Sequence, residues 1–270
     1  MAICEYEVYA LRYATVNRAA RDNFLNRPAA DLHDSEMPLD FYVWLIRGAE
    51  VNILVDTGFS PASAASRKRD YLCSPVEGLR LLGVDPEAVD HVVLTHFHYD
   101  HAGNTDSFPR ACFHVQESEM CFATGRYMAH PGLNHFYAVA DVQDLVRHVF
   151  DGRVRFHNGT GQVAEGVSLH RVGGHTDGLQ VVRVHTKRGW IVLASDAAHY
   201  YRNKMESSPF PAIFNVGDML EGWRLIDELA ESSRHIIPGH DPEVRRLYPA
   251  LDLSEMDIAL LHEMPLADPY

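Results

Sequence analysis

Short apolar runs rich in β-branched and aromatic residues alternate along the chain with polar, Gly- and Pro-bearing segments. Runs of this length and composition predict strands. They fall at 6–15, 41–47, 51–55 and 92–95, then at 111–115, 167–172, 179–186 and 190–194, with Ile236-Ile237 near the end. Helical periodicity predicts helices over 74–82, 118–124, 139–149 and 219–232. For the last of these, Asp218 is the expected N-cap, and Leu220, Trp223, Leu225, Ile226 and Leu229 the expected buried stripe. Strands and helices mix without a strict βαβ rhythm, and neither a linker nor an internal repeat interrupts them. The reading is a single α/β domain over 1–270. The polar 17–37 reads as an exposed loop or arm. The irregular, Pro/Gly-containing 126–137 reads as an insertion able to act as a lid.

Composition narrows the function. The 270 residues are 46% apolar, enough for a sizeable core. With 24 basic and 37 acidic side chains the formal charge is −13, so a nucleic-acid partner is not expected. The one basic run, Arg67-Lys68-Arg69, reads as a solvated face. Cys4, Cys73, Cys112 and Cys121 form no CxxC pair and read as reduced, mostly buried thiols. The first residues lack the charged-then-apolar pattern of a signal peptide, and no apolar run approaches the roughly 18 residues of a membrane span. A cytoplasmic location with no membrane partner is expected. No Gly-rich nucleotide loop and no G-x-S-x-G turn is present, so no organic cofactor or serine nucleophile is expected.

The chemistry is concentrated in Thr95-His96-Phe97-His98-Tyr99-Asp100-His101, directly after the strand-like His91-Val92-Val93-Leu94. In extended chain, alternate side chains share a face, so His96, His98 and Asp100 can converge while His101 serves a second position. Imidazole and carboxylate together suit zinc and similar divalent metals. Scattered surface histidines account for His33, His91 or His262, but not for a cluster this dense. Three later residues stand at strand ends in the same manner: His175 in Gly173-Gly174-His175, Asp196 after 190–194, and His240 in Pro238-Gly239-His240-Asp241.

Taken in this order, and with Leu54-Val55-Asp56-Thr57-Gly58 upstream, the motifs resemble those of the metallo-β-lactamase superfamily over nearly the whole chain. The resemblance implies a four-layered αββα sandwich of two mixed sheets flanked by helices. It implies that His96, His98 and His175 hold one zinc ion, Asp100, His101 and His240 a second, and that Asp196 bridges them, with Asp56 behind the ligands. Within the superfamily the strings 94–104, Ser195-Asp196-Ala197 and 238–241 look most like N-acyl homoserine lactone lactonases. That likeness implies a small-molecule lactone or ester as substrate, opened by a hydroxide shared between the metals, with Asp100 carrying the proton to the leaving oxygen. Several such lactonases carry Tyr three residues after the bridging Asp; here His199 stands there, followed by Tyr200 and Tyr201. His199 is thus the expected carbonyl contact. Tyr71, Tyr99, Phe122, Tyr127, Phe136 and Tyr137 are expected to wall an acyl groove. Hydrolysis of another ester, thioester or cyclic amide is the alternative, and monomer and homodimer both stay open.

Overall fold

The computed structural model describes residues 3–25, 35–251, 253 and 256–268. Thirteen strands among these form two sheets. The first comprises β1 (Glu7–Val16), β2 (Leu39–Arg47), β3 (Asn52–Val55), β4 (Asp70–Tyr71), β5 (His91–Val93), β6 (Cys112–Gln116), β7 (Val154–His157) and β13 (Ile258–Leu260), in the order β13-β1-β2-β3-β5-β6-β7 with β4 on β1. The second runs β12-β11-β10-β9-β8, from β8 (Thr160–Ala164), β9 (Val167–Arg171), β10 (Gln180–Thr186), β11 (Gly189–Ser195) and β12 (Ile236–Pro238). Pairs from β3 through β7 are parallel, as is β11 with β12, so both sheets are mixed.

Why the strands read as continuous apolar runs is clear from β2, all of whose residues but Arg47 are buried. Phe41, Val43 and Leu45 face outward into a core shared with α1 (Pro61–Arg67), α2 (Pro75–Leu81), α3 (Glu117–Ala123), α4 (Pro131–Asn134) and α5 (Val139–Phe150). Tyr42, Trp44 and Ile46 face inward onto Leu169, Val182 and Leu193 of the second sheet. A strand covered on both faces cannot alternate in polarity. On the far side, beyond the short α6 (Tyr201–Met205) in the chain, Val181, Val192 and Ala194 pack under α7 (Val216–Leu229). Helix, sheet, sheet and helix give the expected four layers. Among the described residues no helix is long and apolar enough to cross a membrane.

Several expectations are corrected. The N-cap of α7 is Asn215, whose Oδ1 accepts the Asp218 N–H at 3.2 Å; Asp218 lies in the first turn. The buried stripe is Met219, Gly222, Trp223 and Ile226, whereas Leu220 is 39% exposed. The offset arises because α7 sits against Gly174, where a Cβ would meet Met219 Cα at 2.6 Å. Cys4 and Cys121 are exposed and Cys73 and Cys112 half-buried, so the thiols are free but not mostly buried. In the 17–37 arm, residues 26–34 (His33 included) lie outside the described residues, but Ala20 and Phe24 form a small buried cluster against Met37. Strands β7, β8 and β13 escape sequence pattern because they are short, and β7 and β8 hold no fully buried residue.

Candidate metal centre

Each expected ligand follows the carboxyl end of a strand at one edge of the two sheets. β3 runs into Asp56, in the left-handed region at φ 62°. β5 runs into 94–101, β9 into the Gly173-Gly174-His175 turn, β11 through Ser195 (φ 45°) to Asp196, and β12 through Gly239 to His240. A Cβ on Gly239 would lie 2.7 Å from the Ser195 carbonyl and 2.9 Å from Asp196 Oδ1, so only glycine lets the two loops meet. The sheets are joined beside the site: Gln180 donates its backbone N–H to Thr95 O at 3.0 Å and its amide to Leu94 O at 2.8 Å.

All seven residues converge, and all are buried. His175 Nε2 lies 2.8 Å from His98 Nδ1, and these two with His96 form one group. Asp100, His101 and His240 form a second, with Asp100 Oδ2 at 3.5 Å from His101 Nε2 and 3.8 Å from His240 Nε2. Asp196 lies between them: Oδ1 is 3.0 Å from His240 Nε2 and 3.3 Å from His101 Nε2, while Oδ2 is 3.3 Å from His175 Nε2. His96 Nε2, His101 Nε2 and Asp196 Oδ1 are sealed from solvent yet make no hydrogen bond among the described residues. Buried polar atoms are nearly always satisfied. Orphaned nitrogen and carboxylate atoms aimed at one space fit a divalent metal.

The opposite ring nitrogens are anchored. His175 Nδ1 donates to Ala212 O at 2.5 Å, and His240 Nδ1 to Asp40 O at 2.8 Å. His101 Nδ1 donates to Asp56 Oδ2 at 2.7 Å, and Asp56 also accepts the Thr95 N–H and hydroxyl. Such contacts fix the tautomer and orientation of a metal-ligating imidazole. Burial, reinforced by neighbouring imidazoles, holds His96 and His98 well below the usual histidine pKa and so neutral. Burial pushes Asp100 and Asp196 upward, but the surrounding histidines outweigh it and hold both below the usual carboxylate range.

One anchor has no signal in the sequence. Glu119, buried on α3, accepts the Phe97 N–H (3.0 Å) and Tyr137 hydroxyl (3.1 Å) on Oε1, and the Thr176 hydroxyl (2.6 Å) and Gly178 N–H (3.0 Å) on Oε2. It thereby ties the His96–His98 loop to the His175 turn. An acidic residue in a first helical turn is commonplace, so nothing marks this one.

Comparison with known proteins accords with this geometry: residues 40–254 match the Metallo-beta-lactamase superfamily. The chain belongs to that superfamily. Among its relatives are an N-acyl homoserine lactonase of a Bacillus species and AiiB, a lactonase of Agrobacterium fabrum. The first is 28% identical over 77% of this chain and 84% of the relative. The second is 30% identical over 66% and 69%. The solved structure of Bacillus thuringiensis AiiA, holding N-decanoyl-L-homoserine at its active site, is similar in fold at TM-score 0.74. It is 21% identical to this chain and covers 91% of it, with 96% of AiiA matched.

Five of the seven expected ligands, His98, Asp100, His175, Asp196 and His240, line a cavity of about 530 Å³. Tyr99, Phe122, Phe136 and Tyr137 line it as anticipated; Tyr71 and Tyr127 do not. Arg67 is not simply solvated: it lies over the Tyr99 ring at 3.9 Å and donates to His135 O and Tyr137 O. Arg69 donates to the Tyr99 hydroxyl at 3.0 Å. The run thus braces the wall formed by 126–137. His199 faces the cavity, its ring stacked on Phe210 at 3.4 Å and 6° and its Nε2 2.9 Å from Asp196 Oδ2. His199 Nδ1 has no hydrogen-bond partner among the described residues. Tyr200 instead points to Pro38 O, and Tyr201 packs in the core between the sheets, so neither lines the cavity.

Proposed function

We propose that this chain opens the ring of an N-acyl homoserine lactone or a related lactone at a centre of two zinc ions. In coarser terms it is a metal-dependent hydrolase of ester bonds, of the lactonase type. The reading rests on one observation: seven buried histidine and aspartate side chains converge, and five of them, His98, Asp100, His175, Asp196 and His240, line a cavity walled by aromatic side chains. His96, His98 and His175 would hold one ion, Asp100, His101 and His240 the other, with Asp196 shared. Such a pair, when bound, polarises a carbonyl and makes hydroxide available at neutral pH. The relatives named N-acyl homoserine lactonase support the substrate class.

The chain's own residues supply the rest. The histidines around Asp100 keep it ionised at neutral pH, so its carboxylate can take the proton of the newly added hydroxyl and pass it to the ring oxygen as the C–O bond breaks. His199, stacked on Phe210, is kept neutral by burial and has a single N–H; were Asp196 taken up by the ions, an Nε2–H that now faces Asp196 Oδ2 would be free to donate to a carbonyl oxygen. Tyr99, Phe122, Phe136 and Tyr137 offer an apolar wall for an acyl tail and limit water around the reacting bond. A cytoplasmic location belongs to the same proposal and is tested by cell fractionation.

The test combines elemental analysis with a panel of acyl homoserine lactones, simple γ- and δ-lactones, thioesters and β-lactams. At least two divalent ions per chain, with turnover confined to lactones, is expected. One ion or fewer after loading, or turnover of thioesters or β-lactams in preference to lactones, would overturn the reading.

A further inference from the structure

A second cluster of metal-ligating side chains lies at the amino-terminal end of β5, away from the strand's carboxyl end where the centre is built. The parallel register sets His91 beside Cys112 and Val93 beside His114. Alternation along β6 then puts Cys112 and His114 on one face, the face to which His91 also points. His114 Nε2 is 3.0 Å from His91 Nδ1, and Cys112 Sγ lies within 4.8 Å of one nitrogen of each ring. On its other side, His114 Nδ1 is 2.9 Å from His157 Nε2, the two rings stacked at 16°. Gly161 leaves room for His157: a Cβ there would fall 2.1 Å from its Nδ1.

We propose that His91, Cys112 and His114 form an additional, mononuclear site for a borderline transition-metal ion such as Zn²⁺, with His157 orienting His114 from behind. Two imidazole nitrogens and a thiolate are the donors zinc takes in closed or nearly closed tetrahedral sites. Three protein donors leave one position for solvent, and the half-buried His91 and Cys112 leave an entry path. His114 Nδ1–H donating to His157 Nε2 leaves His114 Nε2 free to bind, the arrangement that fixes a ligating tautomer. The charge conditions agree. Burial, then His91, His157 and Arg155, push His114 down to about 3, so its lone pair is available at neutral pH. Metal binding would deprotonate Cys112, and the Asp90 carboxylate already stands beside His91 as a counter-charge to Arg155. Without metal the three imidazoles can form a chain of N–H···N hydrogen bonds, and the experiment must separate these states.

Cobalt(II) separates them, because the seven residues of the other centre include no sulfur. Metal-free protein is prepared by chelation and titrated with Co²⁺ while absorbance is followed. The wild type is expected to bind a third ion per chain and to develop a thiolate-to-cobalt charge-transfer band. Cys112→Ser should bind one ion fewer and lack the band. His91→Gln should weaken the band's apparent affinity at least about 10-fold. The double variant His96→Ala/His98→Ala should keep the band whatever becomes of the dinuclear reading, so the two proposals fail independently. A wild type without the band, or a band that survives Cys112→Ser, would overturn this one.

Discussion

Glu119→Gln changes a single oxygen in a buried carboxylate, yet it disturbs both loops that carry histidine ligands. Phe97 stands between His96 and His98, and Thr176 and Gly178 follow His175; all three donate to Glu119. Each carboxylate oxygen receives one backbone N–H and one hydroxyl. Whichever way the glutamine amide turns, its NH₂ faces one of those N–H groups. The neighbouring hydroxyl can rotate to accept from the amide, but the backbone N–H cannot. One orphaned buried N–H costs about 1–3 kcal/mol, and the surviving bonds lose the assistance of the charge. Removing a buried charge returns part of its desolvation penalty, so the net destabilisation should stay at about 1–3 kcal/mol. Urea unfolding at pH 7 should show a lower midpoint at unchanged slope. Chelator competition should show the affinity for the ion assigned to His96, His98 and His175 reduced about 10- to 100-fold, with a smaller change for the other ion. An unchanged midpoint together with unchanged metal affinity would refute the claim that Glu119 couples the two loops.

His199→Ala should lower kcat/KM about 10- to 100-fold, about 1.4–2.7 kcal/mol, with both metals retained and partial recovery in His199→Tyr. Loss of an ion would instead make His199 a ligand, and a wild-type rate would make it structural. Shortening 126–137 should alter the preference for acyl-chain length more than the rate on a minimal lactone, because Leu133, Phe136 and Tyr137 line the cavity; equal losses on all substrates would show that the segment is only scaffold. Asp141 is raised from 3.8 to about 7 by burial and then by Asp144, so between those values the folded chain keeps a proton that the unfolded chain has released. Stability therefore falls as pH rises through that window. Asp141→Asn should raise Tm at pH 8 and leave it unchanged near pH 3; an equal effect at both would contradict the assignment.

Most of the centre is legible in the sequence because it is locally encoded. His96-x-His98-x-Asp100-His101 needs only a strand end to bring its side chains together, and His175, Asp196 and His240 each stand beside a turn that a short apolar run announces. Strands covered on both faces announce themselves too, as with β2. The residues that the pattern missed or misjudged depend on contacts between distant segments. Glu119 lies 22 residues from Phe97 and 59 from Gly178 in the chain, and nothing local distinguishes it from a solvated helical acid. Arg67 and Arg69 read as a surface run until Tyr99 and the 126–137 segment close over them. His91 read as a scattered histidine until the register of β5 against β6, and the return of β7, set it beside Cys112 and His114. Periodicity reports which face of its own element a side chain occupies. Which other side chain meets it there is decided by sheet order and register, and these come from packing the whole chain.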